Sequence, residues 1–534
     1  MPPQELTDAR PPEKLFDVRR WLRQPSRRRP IAVFLLVFGA AAIFSGGHSY
    51  SIDEETYLAN LRAAVHFERT IEQLPPPGAQ YLVVFDKDGG LTSFYGVGTV
   101  VFAIPAYAAG KAAAFTVGDP WKEMVLRLIY FGNGAVMLAL TAALLVCIGL
   151  ELGVRQRSAT LVALTYATGT YAFAHSKTGF SETLTALFLT VAVLQLLRSR
   201  LRPEWLSRHV VGIGLALGAA CMMRASALVF VAPFAIAVAW WAPDTRRVKA
   251  ILYLGLGLAA PIALVALNNW WRFGNPLDTG YPTLRYNVPV YEGLFGLFLS
   301  SGKGLFWFAP LTLVAVLVVR SAWGTSRSLV ALAATCIALN AATFARFNDW
   351  NGGNTFGPRY MIIVLPFFAV VVLAAAKQTA VDRAVAGSWI LGGVTTIGGA
   401  LVYFNAVYAA NFTQLAIAAN PTYPAGQADW GGIHNLLNFT PRFSQIVMHM
   451  RALPDVARNF RDTSFSNPPL HLFEGDMRGQ LSLYQSELRL DTWWGYWIEV
   501  GAPKWVLLLL IVPIAAVYFG IRLVREGPER PGAI

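Results

Sequence analysis

Charged residues are scarce in this 534-residue chain, at 14% of the sequence, whereas hydrophobic residues make up 55%. The mean hydropathy is +0.45, and this combination excludes an ordinary soluble globular protein. Cysteine is rare as well: Cys147, Cys221 and Cys336 lie in apolar runs without ligand spacing, which argues against a disulfide framework and a cysteine metal site. The seven histidines are scattered and form no HxxxH pair, so we expect no histidine-rich metal site.

Long apolar segments, by contrast, recur from residue 31 to residue 522. Many approach the roughly 20 residues that a helix needs to cross about 30 Å of hydrocarbon. We therefore predict an all-α polytopic membrane protein with about twelve spanning helices. The predicted spans are 31–48, 125–150, 158–174, 181–197, 209–222, 225–241, 249–268, 304–320, 327–345, 359–376, 387–409 and 504–522. Only Met223 and Arg224 separate the fifth span from the sixth, so one long kinked helix is an alternative there.

The placement of charge sets the topology. The net charge is +13, but many basic residues lie in short loops between apolar runs. This is typical of cytoplasmic loops, so we predict no nucleic-acid partner. If the stretch 96–115 also crossed the membrane, several of these basic loops would fall outside. We therefore predict that 96–115 is an interfacial or re-entrant helix broken near Pro105, and that both termini are cytoplasmic.

This topology divides the chain into four parts. They are a cytoplasmic basic tail (1–30), a transmembrane module (31–409) with a long first outer loop (49–124), an outer-face segment (410–503), and a last spanning helix with a cytoplasmic tail (504–534). The first outer loop contains YLVVFDKDGGLTSFYG, where two β-prone runs flank a Lys-Asp-Gly-Gly turn, so we predict a hairpin. Near the end of the outer segment, Trp493, Trp494 and Trp497 are typical of an interfacial aromatic belt.

An acidic motif follows the first apolar run. In SGGHSYSIDEETYL (45–58), the carboxylates Asp53, Glu54 and Glu55 are consecutive and lie on the outer side by the charge rule. Acids at the mouth of a membrane helix are costly unless they are hydrated or paired. The motif is therefore a candidate functional site.

Helical spacing separates the roles of these acids. In a helix that begins near Asp53, this residue shares one face with Thr56 and Tyr57, whereas Glu54 points elsewhere. The alternative interpretation is structural. An acidic first turn, with Ser51 or Asp53 as the N-cap, is also favoured by the helix dipole.

Basic and aromatic residues collect on the same outer side. The segments SSGKGLFWFAP (300–310) and RFNDWNGGNTFGPRY (346–360) combine Gly-rich turns with Lys or Arg, an arrangement that suits a phosphate. For any single basic residue, snorkelling of a long side chain at a helix end is the alternative explanation. The candidate residues for donor phosphate and substrate binding are Tyr57, Lys177, Glu182, Arg224, Lys303, Trp350 and Arg359.

Five motifs, read together, resemble a known group of enzymes. SIDEETYL, DGGLTSFYGVGTVVFAIPAYAAGK, FGNPLDTGY, SGKGLFWFAP and WNGGNTFGPRY resemble motifs of bacterial polytopic glycosyltransferases of the GT-C fold. Relatives include the protein O-mannosyltransferases and the lipid A aminoarabinose transferases. The resemblance covers most of residues 30–376 and does not extend to 410–503. It implies a sugar donor on a polyprenyl phosphate and an active site that faces the periplasm or cell exterior from the bacterial inner membrane.

The same resemblance implies roles for two acids. Asp53 becomes the general base that deprotonates an acceptor hydroxyl, and Glu54 orients the acceptor or a cation. The paired acids make a divalent cation possible, and the sequence indicates no cofactor with certainty. The basic residues of the family do not match this chain one for one, so Lys177, Arg224, Lys303 and Arg359 are assigned by placement alone.

The expected activity is transfer of a sugar from a polyprenyl-phosphate donor to a hydroxyl of a lipid, glycan or protein acceptor. A single carboxylate base with a phosphate leaving group favours inversion at the anomeric carbon, because no covalent sugar intermediate is required. Two alternatives stay open from the sequence. One is a transporter or flippase of a lipid-linked glycan, and the other is a ligase that moves a whole glycan from a diphosphate carrier.

Overall fold

The computed structural model describes residues 25–71, 83–119, 121–201, 206–281, 286–353, 355–402, 436–461, 490–499 and 504–525. The predicted basic tail lies almost wholly outside the described residues, as does most of the predicted outer segment 410–503.

The described part is almost entirely helical. Up to residue 273 the helices are α1 (Pro25–Ile43), α2 (Ile52–Val65), α3 (Gly98–Val101), α4 (Ile104–Ala114), α5 (Trp121–Phe131), α6 (Asn133–Glu151), α7 (Gln156–Thr168), α8 (Ala172–His175), α9 (Ser181–Leu201), α10 (Leu206–Met223), α11 (Val231–Trp241) and α12 (Arg247–Phe273). After residue 273 they are α13 (Val290–Leu299), α14 (Leu305–Phe308), α15 (Leu311–Ala345), α16 (Leu365–Ala375), α17 (Thr379–Leu401), α18 (Gln445–Arg461), α19 (Trp493–Glu499) and α20 (Ile511–Arg525). Short 3-10 helices cover Ala225–Phe230, Asp244–Arg246, Arg359–Val364, Pro441–Phe443 and Lys504–Leu510.

The predicted helical membrane fold is confirmed. Within the described residues, seven helical segments are long and apolar enough to cross a membrane. Three shorter apolar helical segments add to them, at Ala225–Trp241, Val290–Leu299 and Arg359–Ala375. The count of twelve spans stays a prediction. Large apolar side chains cover the exposed surfaces of α12 and α20, as expected of helices that face lipid.

Two helix boundaries follow from local backbone geometry. Arg224 is extended, with φ −150° and ψ 128°, so α10 ends at Met223 and the two-helix prediction is right. Inside α15, Ser326 has non-helical angles and divides the helix where the sequence predicted a short loop between two spans. The predicted span 387–409 is displaced: the helix runs from Thr379 to Leu401, and residues after 402 are not described until 436.

The outer loop carries the predicted hairpin. Strands β1 (Val83–Phe85) and β2 (Leu91–Ser93) pair antiparallel. Their turn is closed by the Asp86 side chain, whose Oδ1 accepts from the backbone amide of Gly90 at 2.8 Å. The stretch 96–115 is divided as predicted: α3 ends at Val101, and α4 begins at Ile104 with Pro105 in its first turn. Its depth relative to a membrane stays a prediction.

Side-chain contacts define two ends of the helical bundle. At one end, Arg29 Nε donates to Gln156 Oε1 at 3.2 Å, which joins the starts of α1 and α7. A short turn away, Arg198 Nε contacts Glu151 Oε1 at 2.9 Å and joins the ends of α6 and α9. This is the basic end of the bundle. The end of α1, the start of α9 and the end of α10 therefore lie at the other end, which we call the acidic end because α2 begins there with three acids.

Candidate functional site

Helix α2 begins with the acidic motif. Ser51 is the N-cap, and its hydroxyl accepts from the Glu54 backbone amide at 3.4 Å, which confirms the predicted capping role. Because neighbouring positions on a helix point in different directions, Asp53, Glu54 and Glu55 contact three different sets of partners. The acids therefore have separate environments despite being consecutive.

Asp53 enters an ion-pair cluster built from three helix ends. Arg359 Nη1 contacts Asp53 Oδ2 at 2.8 Å, and Arg359 Nε donates to Glu182 Oε1 at 2.7 Å. Arg224 Nη1 donates to the same Glu182 oxygen. We call Asp53, Glu182, Arg224 and Arg359 the carboxylate–arginine cluster. It holds two negative and two positive groups, so it is neutral when all four are charged.

The backbone delivers each member of this cluster for a local reason. Glu182 lies in the first turn of α9, where the helix dipole favours an acid. Arg224 occupies the extended residue between α10 and Ala225–Phe230. Arg359 follows a glycine-rich loop in which Gly352, Gly353 and Gly357 have φ of 71°, 67° and 71°, a region that favours glycine.

Aromatic rings hold the two guanidinium groups in place. The Arg359 Cζ lies 3.8 Å from the centroid of the Phe180 ring, and Arg224 Cζ lies 5.3 Å from that of Tyr360. Cations stack well on aromatic faces when both are shielded from water. Both arginines are thus fixed from two directions, by a carboxylate in their plane and by a ring on their face.

Tyrosines complete the surroundings of Asp53. The Tyr95 hydroxyl donates to Asp53 Oδ1 at 2.7 Å, and the Tyr57 and Tyr95 rings meet edge to face at 4.5 Å. Burial, followed by the charge of Asp53, raises the pKa of both hydroxyls well above the ordinary value, so both keep their protons. About a fifth of the Asp53 side chain (19%) stays exposed.

Two buried donors at this site lack a partner among the described residues. They are the Tyr57 hydroxyl and the Arg224 Nε–H. Tyr57 is only 2% exposed, and its charged neighbours are the four members of the cluster. A buried donor without an acceptor is costly. Two such donors beside one cluster suit a ligand with acceptor oxygens.

Glu54 occupies a different environment from Asp53. It is fully buried, and its oxygens accept from the backbone amides of Tyr50 at 2.7 Å and Gly179 at 2.6 Å. Burial raises the pKa of its carboxyl to about 8, and the two amide bonds offset only part of that effect. The role of Glu54 in orienting an acceptor or cation stays a prediction, since its carboxylate oxygens accept from backbone amides.

Glu55 forms a second buried ion pair that the sequence did not suggest. Arg127 of α5 contacts both of its oxygens, with Nη2 to Oε2 at 3.0 Å, and Arg127 Nε reaches Glu123 at 2.8 Å. A lone arginine in an otherwise apolar run was the available signal, because charges inside such runs are rarely unpaired. The pair fastens α2 to α5 and so fixes the helix that carries Asp53.

Two of the predicted phosphate-binding lysines lie apart from the cluster. Lys177 Nζ contacts Asp491 Oδ2 at 2.8 Å, and both side chains are almost completely buried. Lys303 Nζ donates to backbone carbonyls of the glycine-rich loop, including Gly353 at 2.9 Å and Gly357 at 3.4 Å. Burial lowers the pKa of Lys303 to about 7. Both lysines thus contact protein groups in this structure.

Trp350 also lies in packing contacts, 5% exposed, with its ring 5.9 Å from that of Phe439. The structure therefore brings together Asp53, Tyr57, Glu182, Arg224 and Arg359 from the predicted set. Tyr95 was missed, although it lies in the quoted hairpin motif. Its signal was the aromatic pair Phe94-Tyr95 immediately after β2, where the chain returns to the acidic motif.

The described residues contain no group of three or more His, Cys, Asp or Glu placed to hold a metal ion. The four acids of the site already have partners: two accept from arginines within the cluster, Glu54 accepts from amides, and Glu55 accepts from Arg127. A divalent cation needs several free oxygen ligands. The described acids therefore do not fit a divalent cation.

Comparison with known proteins finds one similar solved structure. It is a crystal structure of ArnT from Cupriavidus metallidurans bound to undecaprenyl phosphate, at 14% sequence identity, covering 91% of this chain and 77% of that chain with a TM-score of 0.43. No family model and no curated protein sequence matches the chain.

Proposed function

We propose that the protein is an inverting glycosyltransferase that moves a sugar from a polyprenyl-phosphate donor to an acceptor hydroxyl. The observation that carries this proposal is the carboxylate–arginine cluster with its two unpartnered donors. Tyr57 offers an O–H group and Arg224 an N–H group beside Arg359. This combination suits phosphate oxygens. Asp53, still partly exposed, offers a carboxylate to an acceptor on the same side.

The chemistry balances with these groups alone. Asp53 takes the proton of the acceptor hydroxyl as that oxygen bonds to the anomeric carbon, and the bond from this carbon to the phosphate oxygen breaks. The products are the glycosylated acceptor, a polyprenyl phosphate with one more negative charge, and neutral Asp53. A positioned general base contributes roughly 10²–10⁴-fold to such a step.

The Asp53–Arg359 contact links proton transfer to departure of the phosphate. While Asp53 is ionised it holds Arg359 Nη1 at 2.8 Å. Once Asp53 is neutral this attraction weakens, and the guanidinium is available to the phosphate that is gaining charge. Fixed cations aimed at a developing charge are effective because they need little reorganisation.

Inversion follows from the pairing of the other acids. Glu182 accepts from two arginines, and Glu54 is bound by two backbone amides. Neither is placed as a free nucleophile, so these two acids do not supply the nucleophile of a two-step mechanism through a glycosyl-enzyme. A single displacement by the acceptor inverts the anomeric carbon.

The proposed location is the bacterial inner membrane, with the site facing the periplasm or cell exterior. In support, the cluster lies at the acidic end of the bundle, opposite the end where Arg29 and Arg198 make their contacts. Basic residues favour the cytoplasmic side, and polyprenyl chains place their phosphates at a membrane surface.

Purified protein in sealed proteoliposomes tests this proposal against transport. A panel of polyprenyl-phosphate monosaccharides, labelled in the sugar, is offered with lipid, glycan and peptide acceptors. We expect label to move to one acceptor class with stoichiometric release of polyprenyl phosphate. Label that crosses the bilayer while still attached to its lipid, without transfer, would instead identify a transporter or flippase.

A further inference from the structure

The outer segment after residue 409 has no role from the sequence, yet its described end reaches the loops of the site. Asp491 is fully buried and lies in contact with Lys177, His48 and Tyr50. Lys177 Nζ contacts its carboxylate at 2.8 Å and donates to its backbone carbonyl at 2.6 Å. Asp491 thus joins three parts of the chain that are far apart in sequence.

The remaining contacts of Asp491 fall on the loop before α2. His48 Nε2 lies 2.9 Å from Asp491 Oδ1, and the Tyr50 hydroxyl donates to Asp491 Oδ2 at 2.8 Å. Tyr50 comes directly before the Ser51 cap of the helix that carries Asp53. The loop that leads to the proposed base is therefore fastened at two side chains.

The Lys177 contact fastens the second loop of the site. Residues 176–180 form the turn that enters α9, whose first turn contains Glu182. The same turn provides the Gly179 amide that donates to Glu54 at 2.6 Å. Asp491 and Glu54 therefore connect the two loops at separate points, one from the outer segment and one from within α2.

Two tryptophans that follow Asp491 fix the end of α1. Trp493 Nε1 donates to the Ala42 carbonyl at 3.1 Å, and Trp494 Nε1 donates to the Ile43 carbonyl at 3.0 Å. The last carbonyls of a helix have no partner inside the helix, so these bonds satisfy groups that otherwise need water. The Trp493 backbone amide also donates to the Ser45 carbonyl at 2.7 Å.

We propose that Asp491 is a positioning residue for the reaction, and that the end of the outer segment holds the loops that carry Asp53 and Glu182 in register. The inference rests on the proposed function for its kinetic consequence. Its geometric part stands by itself. Burial alone would raise the pKa of Asp491. The contacts with Lys177 and His48 outweigh burial and lower this pKa.

Three variants separate positioning from stability. Asp491→Asn and Lys177→Met each leave one buried charge without its partner, so each lowers the apparent Tm. The double variant removes both charges, and its apparent Tm returns close to that of the wild type. For all three we expect kcat about 100-fold lower with KM for the lipid donor nearly unchanged, since small displacements of reacting groups cost about that much. Asp455→Asn, an exposed pair member in α18, is the matched control.

Hydrogen exchange of backbone amides tests whether Asp491 holds the two loops in place, and it needs no lipid-linked sugar. Amides of residues 45–51 and 176–180 should exchange faster in Asp491→Asn than in the wild type or Asp455→Asn. Unchanged exchange would overturn the inference even if transfer activity is established. A double variant that recovers both its Tm and its kcat would also overturn it, because the pair would then contribute stability alone. If the wild type transfers no sugar, the proposed function fails. The exchange result then still shows whether Asp491 holds the two loops in place.

Discussion

Replacing Arg359 by lysine tests the geometry of the cluster, because the substitution keeps the positive charge and changes the shape of the charged group. Arg359 reaches Asp53 through Nη1 and Glu182 through Nε, and it stacks on Phe180 at 3.8 Å. Lysine carries the same charge on a single nitrogen, without a planar fork and without a face for stacking. In Arg359→Lys the ammonium therefore reaches one of the two carboxylates at a time.

The magnitude follows from the contacts that are lost. One hydrogen bond between charged groups contributes about 1.5–3 kcal/mol, and stacking of a shielded cation adds about 2 kcal/mol. The expected loss is therefore roughly 3–5 kcal/mol. If the transition state feels all of it, kcat/KM falls by roughly 10²–10⁴-fold, at tenfold for each 1.36 kcal/mol.

The assay is sugar transfer from the lipid donor, followed as released polyprenyl phosphate, with apparent Tm measured in parallel. Arg346→Lys is the matched control, because Arg346 is exposed and donates to the Tyr286 backbone carbonyl. We expect the control to keep its activity. An Arg359→Lys enzyme within threefold of the wild type would refute the argument that the fork and the stacking matter.

Two further predictions concern buried groups near the cluster. Burial raises the pKa of Glu54 to about 8, so between about pH 4.5 and 8 the folded protein holds a proton that the unfolded chain has released. Stability therefore falls as pH rises through this range. Glu54→Gln should flatten the dependence of apparent Tm on pH, and curves parallel to those of the wild type would contradict this. Lys303→Met leaves buried carbonyls of the glycine-rich loop without their donor, so the apparent Tm should fall by several degrees. Lys303→Arg should not restore the Tm, because we expect the wider guanidinium group not to fit between these carbonyls. Full recovery by arginine would contradict the argument that only the lysine ammonium fits between these carbonyls.

The fold was predictable where one strong physical preference acts alone. Apolar length gave the helices, and the Lys-Asp-Gly-Gly turn gave the hairpin, since each depends on neighbouring residues only. The end of α10 at Met223 was also predictable from Arg224, because this charged residue lies between two apolar runs. The boundary at Leu401 was not, because nothing in the surrounding sequence marks the end of that helix.

The site was predictable in its members more than in its pairings. Spacing separated Asp53 from Glu54, and the contacts bear out that separation. Sequence distance hid the rest: Lys177 and Asp491 are 314 residues apart, and no local pattern specifies such a pair. Lys303 illustrates the same difficulty, since a lysine beside glycines suits either a phosphate or the carbonyls of a neighbouring loop.

The most direct test of the central claim is the release of polyprenyl phosphate by Asp53→Asn, compared with Asp119→Asn, an exposed acid in the same outer loop. With donor and acceptor in excess, we predict that Asp53→Asn loses at least 100-fold in kcat while it is still expressed as a folded protein, and that Asp119→Asn stays fully active. Release at the wild-type rate by Asp53→Asn would contradict the account, because the proposed base would then take no part in the reaction.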